Sequence, residues 1–122
     1  MSFRPCAVIP VYNHHAGLAR ITNALLGQGL RVILVDDGSD AATKQVLQEL
    51  AAGEGRIECL TLAKNGGKGG AVLAGMERAR ERGFSHALQI DADGQHETAD
   101  VPAMLALAAQ HPYRLISGVP QY

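Results

Sequence analysis

A chain of 122 residues, 47% hydrophobic and 19% charged, has the size and balance of a single globular domain spanning 1–122. A formal net charge of −1 gives no electrostatic case for nucleic acid, and the absence of tryptophan with a 4% aromatic share argues against a base-stacking platform. No apolar run nears the roughly 18 residues needed to cross a bilayer, and Met1-Ser2-Phe3-Arg4-Pro5 lacks the apolar core of a secretory signal.

Cys6-Ala7-Val8-Ile9-Pro10 is a short apolar run, read as a first buried strand. The polar loop Tyr12-Asn13-His14-His15 follows. Leu18, Ile21 and Leu25 then recur at helical spacing, with Gly27 and Gly29 marking the stop. Arg31-Val32-Ile33-Leu34-Val35 is the strongest strand signal, rich in β-branched residues, and it runs into Asp36-Asp37-Gly38-Ser39-Asp40. Ser39 or Asp40 can cap a second helix carrying Val46, Leu47, Leu50 and Ala51, which Gly53-Glu54-Gly55 ends. Ile57 to Leu62 reads as a third strand, and the glycine-rich loop Asn65 to Gly70 leads into a third helix. Val72, Met76 and Ala79 are expected on that helix's inner face, with Arg78, Arg80, Glu81 and Arg82 at a solvated end. A fourth strand, Ala87 to Ile90, ends in Asp91-Ala92-Asp93-Gly94-Gln95-His96. Val101, Met104, Leu105 and Ala108 predict a fourth helix that tolerates Pro102 in its first turn, and Arg114 to Gly118 predicts a fifth strand.

Five continuous apolar strands alternating with four helices predict an α/β fold, a mostly parallel five-stranded sheet with helices on both faces. Ligands of such sheets bind beyond the carboxyl ends of the strands. Tyr12-Asn13, Asp36-Asp37, the glycine-rich loop and Asp91 to His96 all fall there. Cys6 and Cys59, the only cysteines, lie in predicted strands and read as two buried thiols of a reducing cytoplasm. With the second strand between the first and third, they would stand about 10 Å apart, beyond disulfide reach.

Each polar segment carries a functional and a purely structural reading. Asp91 and Asp93, spaced i, i+2 at a strand end, point the same way and suit Mg²⁺ or Mn²⁺ with a diphosphate; equally, they can open a turn before a helix. Gln95 and His96 can complete such a shell, while a helix-flanking surface role suits His96 as well. The other four histidines share no zinc-ligand spacing with it. The glycine-rich loop matches neither a Walker loop, because Lys68 precedes Gly69, nor a dinucleotide loop, because it follows the third strand. It is either a phosphate cradle with Lys68 as a point charge or a flexible connector. A carboxylate at Asp36 or Asp37 can accept bonds from a ribose or a base, or can cap the following helix. Tyr12 can lie against a nucleobase or be an ordinary half-buried tyrosine.

Taken together, Val8-Ile9-Pro10-Val11-Tyr12-Asn13, Val35-Asp36-Asp37-Gly38-Ser39, Asn65-Gly66-Gly67-Lys68-Gly69 and Asp91-Ala92-Asp93-Gly94-Gln95-His96 strongly resemble the family 2 glycosyltransferases of the Rossmann-like GT-A fold. The order and spacing match over nearly the whole chain, and the DXD-containing last motif is most similar to the polyprenyl-phosphate (dolichol-phosphate mannosyltransferase-like) branch. The resemblance implies inverting transfer of a sugar from a UDP- or GDP-type donor, dependent on Mg²⁺ or Mn²⁺. It implies that Pro10, Tyr12 and Asn13 border the nucleoside, that Asp37 binds the base with Asp36 supporting its loop, and that Lys68 lies near the phosphates. Asp91 is then expected at the donor sugar or metal shell, with Asp93 and Gln95 on the cation.

The length departs from the family, whose members carry a second half with the acceptor surface and, for hydroxyl acceptors, a base. The chain is therefore expected to be the donor-binding part of a GT-A domain, with any base beyond Tyr122. A polyprenyl-phosphate acceptor is already ionised and needs no strong base; it would bind through the missing part, at the inner face of the membrane. The truncated sheet edge is expected to favour self-association. The competing expectation is a nucleotide-binding or assembly module without catalysis. A Rossmann dehydrogenase is disfavoured, because its loop and ribose acid belong elsewhere.

Overall fold

The computed structural model describes residues 3–63, 65–92, 97–110 and 115–117. Its elements alternate without exception: β1 (Pro5–Val11), α1 (Leu18–Gly27), β2 (Arg31–Asp36), α2 (Ala41–Gly53), β3 (Ile57–Thr61), α3 (Gly67–Glu81), β4 (His86–Gln89), α4 (Glu97–Ala109) and β5 (Leu115–Ser117). The strands form one parallel sheet in the order β3-β2-β1-β4-β5. Four strands make its body, and β5 adds three residues at one edge. The chain order reverses beside β1, the point at which open parallel sheets leave a crevice above their strands.

Alternation along the strands divides the core in two. Ile9, Leu34, Leu88 and Ile90 face α1, α2 and α4, meeting Leu18, Ile21, Leu25, Leu47 and Met104. Cys6, Val8, Ile33, Val35 and Ala87 face α3 alone. The steps β1→β2 and β2→β3 place α1 and α2 on one face, and the return step β3→β4 places α3 on the other, as right-handed crossovers require. The β4→β5 step continues in the direction of α3, yet α4 buries Val101, Met104 and Ala108 on the α1 face. That last connection therefore has the opposite hand.

The glycine-rich stretch is largely helical, since α3 begins at Gly67 and Lys68 stands in its first turn. The inner face of α3 is Ala71, Val72, Gly75 and Ala79, while Met76 is only half-buried. Gly75 makes the close approach: a Cβ there would stand 2.3 Å from Val8 Cγ1 and 3.1 Å from Val35 Cγ2. The far end of α3 is more than a solvated terminus, because Arg78 and Arg82 both pair with Glu58 of β3. Asp40 caps α2, accepting a bond from the Thr43 amide at 2.9 Å.

Both cysteines are free thiols. They sit on opposite sheet faces and out of register, Cys6 opposite Arg31 and Cys59 opposite Leu34. Burial pushes the Cys6 thiol up to about 12, with Arg4 opposing it. The Cys59 thiol is also raised, by burial first and then by the Asp36 carboxylate. No helix among the described residues is long and apolar enough to cross a membrane.

Candidate functional site

The loops that leave β1 and β2 are joined by side-chain bonds. Asn13, held in the left-handed region at φ 55°, donates its amide to Ser39 Oγ at 2.9 Å and accepts from the Asp40 amide through Oδ1 at 2.7 Å. Ser39 in turn donates to the Val11 carbonyl at 3.4 Å. His15 Nδ1 lies 3.0 Å from Thr43 Oγ1, a second tie between the same loops.

Asp36 and Asp37 are consecutive at a strand end, so their side chains go to opposite sides. Asp36 turns toward α2. One carboxylate oxygen accepts from the Ser39 amide at 2.8 Å, and the other meets Lys44 Nζ at 2.6 Å. Burial alone would raise the pKa of this carboxyl, but the bonds from Lys44 and Ser39 outweigh it and hold the pKa below the usual range. Asp37 turns the other way, toward α3. It is buried, and its Oδ1 accepts from the Gly66 amide at 2.8 Å, which joins the β2 loop to the start of α3.

Above the switch point lies a cleft of about 340 Å³ lined by Pro10, Tyr12, His14, Asp37, Lys68 and Asp91, with Val11, Ala71 and Ala92 completing its walls. Tyr12 stands 53% exposed at its side. Lys68 Nζ reaches across from α3 to Asp91 Oδ1 at 2.5 Å, joining the third and fourth polar segments. The lysine side chain is 52% exposed and the aspartate 24%, while the paired Oδ1 itself is buried at the cleft floor.

Of the residues singled out in the sequence, Pro10, Tyr12, Asp37, Lys68 and Asp91 line one cleft. Asn13 and Asp36 do not line it; both act beneath it, fixing the loops that form it. Asp93, Gln95 and His96 lie outside the described residues, so the proposed cation set is represented by Asp91. Among the described residues, no three histidine, cysteine or acidic side chains gather as a metal cluster. Sequence reasoning missed His14 as a lining residue, though its place beside Asn13 at a strand end was the available signal. It also missed Lys44, whose partner becomes visible only when α2 folds back along β2.

Chemically, the cleft offers an aromatic wall, a buried acceptor in Asp37 and an ammonium–carboxylate pair above a helix N-terminus. The Gly66 and Gly67 amides are taken by Asp37 and Asn65, and the Lys68 ammonium with the positive end of the helix dipole suits phosphate oxygens. The model of the family described as "Glycosyl transferase family 2" matches residues 6–122. The chain is 36% identical over 110 residues to the undecaprenyl-phosphate 4-deoxy-4-formamido-L-arabinose transferase of Aeromonas hydrophila, covering 84% of this chain and 33% of that protein. It is 31% identical over 105 residues to the polyprenol monophosphomannose synthase of Mycolicibacterium smegmatis, covering 84% and 40%. It is also similar to the UDP-N-acetylglucosamine–dolichyl-phosphate N-acetylglucosaminyltransferase of Methanococcus voltae, at 29% over 111 residues, covering 80% and 44%. The chain thus spans about a third of the length of the first of these relatives.

Proposed function

The chain belongs to glycosyl transferase family 2, and from that premise we propose that its cleft binds a nucleotide-diphosphate sugar of the UDP or GDP type. The convergence of Pro10, Tyr12, Asp37, Lys68 and Asp91 from four strand ends on one cleft carries this reading. The nucleoside lies between Pro10 and Tyr12. Asp37, with Oδ1 already engaged by Gly66, accepts from the base through its other oxygen. The diphosphate lies at the start of α3, where the Lys68 ammonium and the positive end of the helix dipole meet its charge.

In the proposed reaction, an acceptor oxygen forms a bond to the anomeric carbon from the face opposite the diphosphate. The anomeric C–O bond breaks, and its electron pair leaves with the nucleoside diphosphate. Lys68 stabilises the charge that gathers on that leaving group. The names of the relatives favour a polyprenyl phosphate as acceptor, which would bring the reaction to a membrane surface. An Mg²⁺ or Mn²⁺ ion fits the hard oxygen donor of Asp91 and, by sequence, those of Asp93 and Gln95. When bound, such an ion neutralises diphosphate charge. Lys68 then exchanges Asp91 for phosphate oxygens.

Calorimetry with UDP and GDP, each with and without Mn²⁺, tests the proposal. Saturable binding that strengthens with Mn²⁺ and distinguishes the two bases is expected; metal-independent binding that does not discriminate between them would overturn the site as drawn. Donor hydrolysis and sugar transfer, measured on this chain and on a longer one, separate a transferase from a nucleotide-binding module.

A further inference from the structure

The amino ends of the strands, opposite the cleft, carry a concentration of arginine that the donor reading does not use. Val32 stands opposite Ile57, so Arg31 and Arg56 are neighbours one step earlier on adjacent strands. Arg4 precedes β1, two residues before Cys6, the residue in register with Arg31. Cys6, Ile33 and Leu60 face α3, and the two-residue period therefore sends Arg4, Arg31 and Arg56 to that same face. Arg82 arrives from the end of α3. These four arginines, with Phe84 and the single acid Glu58, line a pocket of about 240 Å³.

The local acids do not balance them. Glu58 is taken by Arg82, at 3.0 and 2.9 Å, and by Arg78. Glu54 is taken by Arg56 at 3.2 Å. Arg4 lies 4.9 Å from the centre of the Phe84 ring and donates to the Gly83 carbonyl at 2.9 Å, with no carboxylate partner among the described residues. Arg31 makes no ion pair among the described residues. Two guanidinium groups that form no ion pair among the described residues thus stand diagonally at the ends of adjacent strands, where long like-charged side chains are within reach of each other. In a chain with a net charge of −1, this is a local excess of positive charge within a concave wall.

We propose that this pocket is a second anion site, which binds a phosphate group through Arg4 and Arg31. A guanidinium presents paired N–H donors that match two phosphate oxygens, and a phosphate between the two arginines replaces their repulsion with attraction. The seven residues of β1 separate it from the donor cleft, a distance of about 20 Å. The phosphate is either a free ion or monoester, or the headgroup of an anionic lipid.

The test follows the arginine Nε–Hε signals by NMR while inorganic phosphate is added at constant ionic strength. Saturable shifts of the Arg4 and Arg31 signals are expected in the native chain and equally in Lys68→Ala, which removes the donor-cleft lysine. Arg31→Gln should weaken the binding by about tenfold or more, because it removes one of the two charged forks. Arg4→Gln supplies the same reading should the first variant fold poorly. Shifts that never saturate, or that persist unchanged in the folded glutamine variants, would overturn the site. Sedimentation with phosphatidylglycerol vesicles identifies the source. Binding that phosphate competes away and Arg31→Gln abolishes assigns the site to a lipid headgroup, and saturable phosphate binding without vesicle binding assigns it to a soluble ligand. Failure of both arms leaves the donor reading intact and removes this one.

Discussion

The two ends of the donor cleft are built differently. The end formed by the β1 and β2 loops is a closed lattice: Asn13 ties to Ser39 and Asp40, Asp36 to Ser39 and Lys44, and Asp37 to Gly66. At the end formed by α3 and β4, the described residues show a half-exposed ion pair, Lys68 with Asp91. Buried polar groups with partners hold a single geometry, whereas an exposed pair contributes little and can exchange partners. The first end is therefore made before ligand arrives, and the second is made to be rearranged by it. On the proposed reading, shape selection would belong to the nucleoside side and charge exchange to the diphosphate side.

Substitutions break this contrast in order of size. Asp36→Ala removes a buried carboxylate that carries both an amide and an ammonium, and is expected to lower unfolding stability by about 2 kcal/mol in urea. The same group makes the lattice acid-sensitive. The Asp36 carboxyl has a folded pKa below its unfolded value, so its contribution is full above about pH 4 and is lost as pH falls through the lower folded value. Urea midpoints measured from pH 6 to pH 2 should fall more steeply in the native chain than in Asp36→Asn, and parallel curves would reject the assignment.

Asn13→Ala deletes the acceptor of the Asp40 amide and forces a positive φ on alanine. A loss of about 1 kcal/mol in thermal unfolding is expected. Lys68→Ala should sharpen the opposite side of the comparison. Its stability change stays within about 0.5 kcal/mol, while affinity for a nucleoside diphosphate drops by about tenfold. A variant that loses stability but keeps affinity would show the pair to be structural. The smallest effect reaches Cys59, where Asp36→Asn removes one of the charges that raise the thiol and should modestly quicken its alkylation by iodoacetamide.

Much of this was legible in the chain. The β-branched runs, the helical stripes and the placement of polar residues after each strand are local patterns, and they lead to the parallel α/β sheet and to five lining residues of the cleft. The division of labour between Asp36 and Asp37 was half-legible, because strand alternation separates the two acids while the partner that claims one of them, Lys44, comes from tertiary packing. The start of α3 was obscured by glycines, whose weak helix propensity suggests a loop; Asn65 and Asp37 receive the first amides there and let the helix begin early. The arginines of the opposite end are scattered over Arg4, Arg31, Arg56 and Arg82. Only strand register makes them neighbours.

Gly75 gives the cleft an adjustable dimension. Its bare backbone lets α3 rest directly on Val8 and Val35, and Lys68 stands two turns back along the same helix, about 10 Å away. The helix is a beam seated on Ala71, Gly75 and Ala79, with its charged tip reaching across to β4. A single methyl at position 75 is a shim under the closest of those seats, where Val8 must give way or the helix must move. Gly75→Ala is thus expected to alter ligand reach from a distance without altering any side chain of the cleft, which nucleoside diphosphate affinity beside unfolding stability would check.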